Sequence, residues 1–401
     1  MKGFSYYIAE EFNLLEKVDS MKYRKMFLFL MCCILFSKEG FAGELSEKYN
    51  DFKNMLNKKY GFDYSIDLSV LEQRTSPNGK YNAVQGYLYP SFMWTLSDGK
   101  YGTGVLNFAY TVIRYGNHNA SDLANNSGFV TPINDYDDKT NEFNELYYTH
   151  QFGGKWNWLT MGVGQFPMYN FDGTNYDANQ QVNFLNEALS QNASASYTQA
   201  GVGLYAEISP NDEWSFAFGG QDGTNIDAQS VRFNDFGENH YTTFGSVSYT
   251  PNIKGVGDME ISLLVYNQPW TKEQPQTTNG WSLNFSQNVG ENLSFFARIN
   301  ETSGDMEEIR QSWVFGGVYN NPLGRNDLDQ IGIAYAYNKL DEKAVGENLK
   351  HNAEQVVEMY WAWGIGDMLT ITPDVEFYIN PALNQKSDFG VATSLRATVF
   401  F

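Results

Sequence analysis

The chain has 401 residues, with 47 Asp and Glu against 27 Lys and Arg and a formal net charge of −20, a balance that argues against nucleic acid as a partner. Aromatic residues make up 16% and glycines number 36, yet mean hydropathy is only −0.44. Beyond residue 42 no stretch holds about eighteen apolar residues in a row, which excludes a transmembrane helix and leaves strands with one apolar face.

The first predicted element is a secretory leader. Met21 to Lys25 is positively charged, Met26 to Phe36 is apolar, and Gly40 to Ala42 offers small residues for cleavage after Ala42. Residues 1–42 are therefore read as an upstream extension plus a signal peptide that is removed. Both cysteines, Cys32 and Cys33, would leave with it, and with them disulfides, thiolate metal sites and cysteine nucleophiles. Residues 43–60 place Leu45, Tyr49, Phe52, Met55 and Leu56 at helical spacing, which predicts a short N-terminal periplasmic helix.

From Gly61 the apolar period becomes two. Phe62, Tyr64, Ile66, Leu68 and Val70 oppose Asp63, Ser65, Asp67 and Ser69. Alternation of this kind recurs near 82–96, 103–115, 142–152, 157–167, 197–208, 213–220, 240–250, 257–267, 278–289, 292–302, 308–319, 329–338, 353–364, 368–379 and 388–401, for sixteen strands. The connections after even strands are mostly short and rich in turn formers, such as Ser97 to Gly99, Gly153-Gly154 and Gly290 to Asn292. Those after odd strands are mostly longer, including 116–141 and 168–196; the one at 303–307 is short. Short turns alternating with long external loops, on strands of about ten residues, predict an all-β transmembrane antiparallel barrel over residues 61–401. The closing strand has Phe389, Val391, Thr393, Leu395, Ala397, Val399 and Phe401 on one face and Ser394, Arg396 and Thr398 on the other.

Strand parity assigns the wet interior. Asp63, Asp67, Tyr87, Tyr89, Tyr205, Glu207, Glu260, Tyr266, Arg298, Arg310, Glu358, Asp374, Glu376 and Arg396 face the lumen. Tyrosines can stack on the apolar face of a sugar, and charged groups can hold hydroxyls. The arginines set the local field of an acidic tube, so Arg298, Arg310 and Arg396 head the candidate solute pathway, with Glu260, Glu358, Asp374, Glu376, Tyr205 and Glu207.

Four stretches resemble the carbohydrate-selective porin (OprB-like) family. They are the closing pair from LTITPDVEFYINP (Leu369 to Pro381) to Phe401, GQFPMYNFD (Gly164 to Asp172) running into QQVNFLNEAL (Gln180 to Leu189), NPLGRNDLDQIGIAY (Asn321 to Tyr335), and the N-terminal helix leading into Gly61 to Tyr64. The resemblance implies a sixteen-stranded barrel for passive uptake of sugars across the bacterial outer membrane. It also implies that the loop in this stretch folds toward the lumen. Read from its own residues, the loop 168–196 is the expected constriction, with Phe171, Asp172, Phe184 and Glu187, and its middle, Gln180 to Ser190, reads as a short helix with Val182, Phe184 or Leu185 and Leu189 on one face. Two departures stand out: Ala382-Leu383 follows Asn380-Pro381 where the family is glycine-rich, and arginines are few.

Other chemistries find little support. Asn134 to Asp138 and Asp172 to Asp177 carry acidic residues without the twelve-position calcium loop, and are read as solvated loops. His118, His150, His240 and His351 show no paired spacing for zinc, and no nucleophile elbow or phosphate loop is present, so neither an enzyme, a metal nor a cofactor is expected. Expected partners are outer-membrane lipids, lipopolysaccharide and small solutes, for a monomer or homotrimer. The competing expectation is a general cation-preferring pore; a barrel enzyme or a structural surface protein ranks lower.

Overall fold

The computed structural model describes residues 39–77, 79, 81–173, 179–233 and 240–401. The leader's two cysteines and residues 174–177 of the second acidic stretch lie outside the described residues. The chain divides after Phe52 into two units, and the barrel belongs to the second. A helix, α1, runs Glu39–Tyr60. No helix among the described residues is long and apolar enough to cross a membrane.

Sixteen barrel strands follow among the described residues: β1 (Phe62–Ser76), β2 (Asn82–Gly99), β3 (Gly102–Tyr115), β4 (Thr140–Phe152), β5 (Leu159–Pro167), β6 (Ala200–Asn211), β7 (Trp214–Asp222), β8 (Tyr241–Tyr249), β9 (Gly257–Gln268), β10 (Thr278–Val289), β11 (Leu293–Thr302), β12 (Ile309–Asn320), β13 (Gln330–Leu340), β14 (Ala353–Ile365), β15 (Leu369–Ile379) and β16 (Phe389–Phe400). Each pairs antiparallel with its sequence neighbours, and β1 closes the ring on β16 from Asp67 opposite Phe400 to Ser76 opposite Val391. Closure leaves no unpaired edge, the condition for a sheet in lipid. A two-residue ladder, Asn252–Ile253, folds back on the start of β9.

The ring sorts side chains as the alternation predicts. On β16, Arg396 and Thr398 are buried inside while Leu395 is 53% exposed outside. Val163, Leu204, Phe218, Phe315 and Ile333 continue the outer apolar band. Aromatic pairs cluster near strand ends, such as Trp214 with Tyr249 at 4.5 Å and Trp361 with Trp363 at 5.8 Å. At one such end the Arg325 guanidinium lies 3.9 Å over the Trp363 ring and donates to the Gly364 carbonyl oxygen at 2.9 Å, tying the turn before β13 to the end of β14. Inside, Gly162, Gly280 and Gly332 stand opposite Tyr205, Tyr266 and Tyr360 in register. A Cβ there would lie 2.1, 2.1 and 2.3 Å from the facing tyrosine, so each ring rests on its glycine.

Strand boundaries differ from the sequence reading chiefly in β1, which continues past Val70 to Ser76. Its extra inward residues have partners in the interior: Gln73 Nε2 donates to the Ile133 carbonyl oxygen at 3.1 Å and Thr75 Oγ1 to that of Leu123 at 3.3 Å. The larger difference is the connection 116–139, expected as an external loop. It carries α2 (Ala120–Ser127), capped by Asn119 and Asp122 and ended by Gly128 in the left-handed region, and it packs inside the ring.

Two expected outcomes follow from the wall. Leu395→Arg puts a charge on the lipid face and should cost about 2–4 kcal/mol, read by urea unfolding in lipid vesicles. Gly332→Val overpacks Tyr360 and should cost about 1–3 kcal/mol in the same assay.

Candidate functional site

Two connections fill much of the ring. Their apolar side chains (Leu123, Phe129, Ile133, Phe184, Leu189) meet Phe296, Val314, Val356, Tyr360 and Tyr378 from the wall in one buried cluster. Phe129 stacks on Tyr378 at 3.8 Å, and Phe184 lies 5.0 Å from Tyr360. A second cluster gathers Phe166, Tyr205, Phe244 and Tyr266, with Phe171 packed against it 4.6 Å from Phe244.

The described parts of the connection 168–199, residues 168–173 and 179–199, reach into the interior and are hydrogen-bonded at several points to inward side chains. Asp172 accepts from Asn192 at 2.7 Å, Tyr197 at 3.0 Å and Asn284 of β10 at 3.2 Å. Arg396 donates to the carbonyl oxygens of Gln180, of Val182 at 2.8 Å and of Asn183 at 2.9 Å. The Glu358 carboxylate accepts from the Leu185 and Asn186 amides at 2.6 and 3.0 Å. Asn186 Nδ2 donates to Glu376 and to the Tyr378 hydroxyl, both at 2.8 Å. Arg298 donates to the Ala188 carbonyl oxygen at 2.9 Å, and Ser194 to Asn300 at 2.7 Å. Only Glu187–Ser190 is helical, instead of the whole of Gln180 to Ser190. The reason is competition: Arg396 and Glu358 take the carbonyl and amide groups that an earlier helical turn would need.

Among the described residues, a cavity of about 560 Å³ is lined by Tyr87 and Tyr89 of β2, Thr140 and Glu142 of β4, Asp135 to Lys139, Tyr169, Asn179 to Gln181, Glu187, Gln191, Gln199 and residues 226–229 in part. Tyr87 meets Tyr136 edge-on at 5.3 Å. The lining is acidic. Burial pushes the Asp135 carboxyl up to about 8, opposed by the Ser190 hydroxyl that donates to it and raised further by the nearby Glu358 charge. Burial likewise raises Glu187 well above the carboxylate range, reinforced by the charges of Asp135, Asp137, Glu307 and Glu308. Outside the lining, in the connection before β12, Glu307 is pushed up to about 7 by burial and then by Glu308.

The structure separates the residues expected from sequence. Arg298, Arg396, Glu358, Asp374 and Glu376 face inward and are buried beneath the crossing loop. Tyr205 packs on Phe171 at 5.1 Å, and Glu207 accepts from Ser215 at 2.6 Å. Glu260 faces inward opposite Ser286, and Arg310 is exposed at the long-connection end of β12. Of the residues assigned to the constriction, Glu187 lines the cavity, Phe184 is in the core, and Phe171 and Asp172 hold the loop's entry. Asn134 is buried and donates to Gln73 instead of lying in a solvated loop, and Asp135 is half-buried, while Asp137 and Asp138 are exposed. The sequence reading missed Asp135, Tyr136, Tyr169 and Glu354. A signal existed: Ala120, Leu123 and Ala124 recur at helical spacing behind a capping residue, in a connection otherwise polar.

Comparison with known proteins places this geometry. Residues 238–401 match the family described as carbohydrate-selective porin, OprB family. Porin AaxA of Chlamydia pneumoniae is 36% identical over 345 residues, covering 84% of this chain and 78% of that protein. Porin AaxA of Chlamydia trachomatis serovar A is 33% identical over 338 residues, covering 84% and 71%. In fold, the high-pH structure of Pseudomonas putida OprB superposes with a TM-score of 0.73 at 12% identity, covering 88% of this chain and 97% of that one. Salmonella typhi OmpF in complex with daunomycin gives 0.54 at 13% identity, covering 85% and 97%. With relatives this similar over most of both chains and a closed barrel of sixteen strands, the chain belongs to the carbohydrate-selective porin, OprB family, and is a channel of the bacterial outer membrane, not an enzyme.

Proposed function

We propose that this porin gives passive diffusion of small hydrophilic solutes, carbohydrates among them, through a water-filled barrel narrowed by the inward loop 168–199. The observation that carries this reading is the open cavity of about 560 Å³ between that loop and the β2–β4 wall, lined by tyrosines, amides and carboxylates. Sugar hydroxyls find acceptors and donors there, and the apolar sugar face finds Tyr89 and Tyr169. Weak binding suits a channel, because a tightly held solute would not leave. Arg298, Arg396, Glu358 and Glu376 act on solute through the loop they hold. Liposome swelling over a series of mono- and disaccharides tests the reading, with swelling that falls as solute size rises expected. In planar bilayers, sugar should reduce the ion current, and a current insensitive to every sugar overturns the carbohydrate assignment. Tyr169→Ala should raise the half-blocking sugar concentration by about two- to tenfold, the loss of one stacking partner.

A general cation-preferring pore is the second reading, favoured by the exposed Asp137 and Asp138 in the cavity lining and a net charge of −20. Its pH dependence has a definite sign. A carboxyl whose value is raised stays neutral until pH passes that value, so Asp135 at about 8 and Glu307 at about 7 gain charge between pH 6 and 9. Cation-over-anion selectivity, read as reversal potential under a salt gradient, should rise across that interval. Asp135→Asn should flatten the upper part of the rise.

A further inference from the structure

Strand β14 faces both inward connections with two glutamates four residues apart, Glu354 and Glu358, each fully buried. Glu354 accepts from the Thr131 amide at 2.7 Å and the Val130 amide at 3.2 Å, both in the connection 116–139, and from the Ala382 amide at 2.9 Å. Glu358 accepts from the Leu185 and Asn186 amides of the connection 168–199. In each pair the two oxygens of one carboxylate take two successive backbone amides, so the contact holds the path of the main chain whatever its side chains are. Beside them, Glu376 of β15, opposite Glu358 in register, accepts from the Asn186 side chain. The two connections also grip one another: the Asp135 amide donates to Gln180 Oε1 at 3.1 Å, the Glu187 amide to the Pro132 carbonyl oxygen at 3.3 Å, and Ser190 to Asp135. The cavity lies on the far side of this joined pair, where Asp135, Tyr136, Gln180 and Glu187 line it.

We propose that Glu354 and Glu358 are positioning residues that latch both inward connections to one strand of the wall and thereby set the open width of the pore. The proposal rests on the reading that the inward loop narrows the channel. Losing either carboxylate leaves buried amides with weaker acceptors, and because the connections are joined, release of one loosens the other.

Single-channel recording separates the possibilities. The isosteric variants Glu354→Gln and Glu358→Gln keep volume and one acceptor oxygen, so the barrel should fold, checked by heat-modifiable electrophoretic mobility. The double Gln variant should conduct at least twofold more than the parent, or switch between two conductance levels, with weaker block by sugar. A variant with residues 179–191 replaced by a short glycine linker is the reference for an unlatched pore. A purely structural role would lower the yield of folded channels and leave the conductance of each folded channel unchanged. Parental unit conductance in the double variant, with a raised value in the excised one, overturns the latch alone. Parental conductance in the excised variant overturns the narrowing on which the latch rests.

Discussion

Every backbone amide and carbonyl that crosses hydrocarbon must be paired within the protein, because lipid offers nothing to bond. In this chain the pairing of β1 with β16 meets that demand, running ten residue pairs from Asp67 opposite Phe400 to Ser76 opposite Val391. Once the ring is closed, the pleat divides each strand into a lipid face and an inner face. Leu395 and Arg396 are neighbours in sequence and lie in opposite solvents. The outer face is thereby committed to apolar residues around the whole circumference, and chemistry specific to this porin is left to the inner one.

A ring of sixteen strands is too wide for its own side chains to fill. The charges on the inner face are therefore met by backbone brought in from the long connections. Arg396 and Arg298 end on carbonyl oxygens of the crossing loop, while Glu354 and Glu358 end on amides. Buried groups of this kind are tolerated because fixed backbone dipoles of the connections meet them, and an unmet buried charge would cost several kcal/mol. The same contacts give the loops a defined path in place of the conformational freedom usual for connections of this length.

The result is an asymmetric interior. On the side of β11 to β16 the loops and the wall form a core, with Phe184, Phe296, Tyr360 and Tyr378 packed as in a soluble domain. On the side of β2 and β4 the interior stays open and carries tyrosines and carboxylates. The cavity wall is therefore made partly of loop and partly of strand. The charges of Asp135 and Asp137 in the lining, and of Glu307 and Glu308 in the connection before β12, each act on Glu187.

The sequence by itself determined the barrel, its strands and the alternation of faces along them, but not the register shift at Ile309–Gln311, which leaves Arg310 exposed. Period-two alternation is a local signal, and Phe315, Ile333 and Leu395 report their solvent without reference to any distant residue. Turn chemistry at Ser97 to Gly99 and Gly290 to Asn292 is equally local. What only the tertiary structure decided is the use to which the inner residues are put. Arg396 reads from sequence as a lumen charge, yet its partners lie more than two hundred residues earlier in the chain, at Val182 and Asn183. Asp135 reads as part of a solvated acidic loop, and becomes a cavity wall because Glu354 holds the amides of Val130 and Thr131. Parity along a strand fixes the direction of a side chain, but the group it meets depends on how long connections fold back into the ring, and that is set by hydrogen bonds with no periodic trace in the sequence.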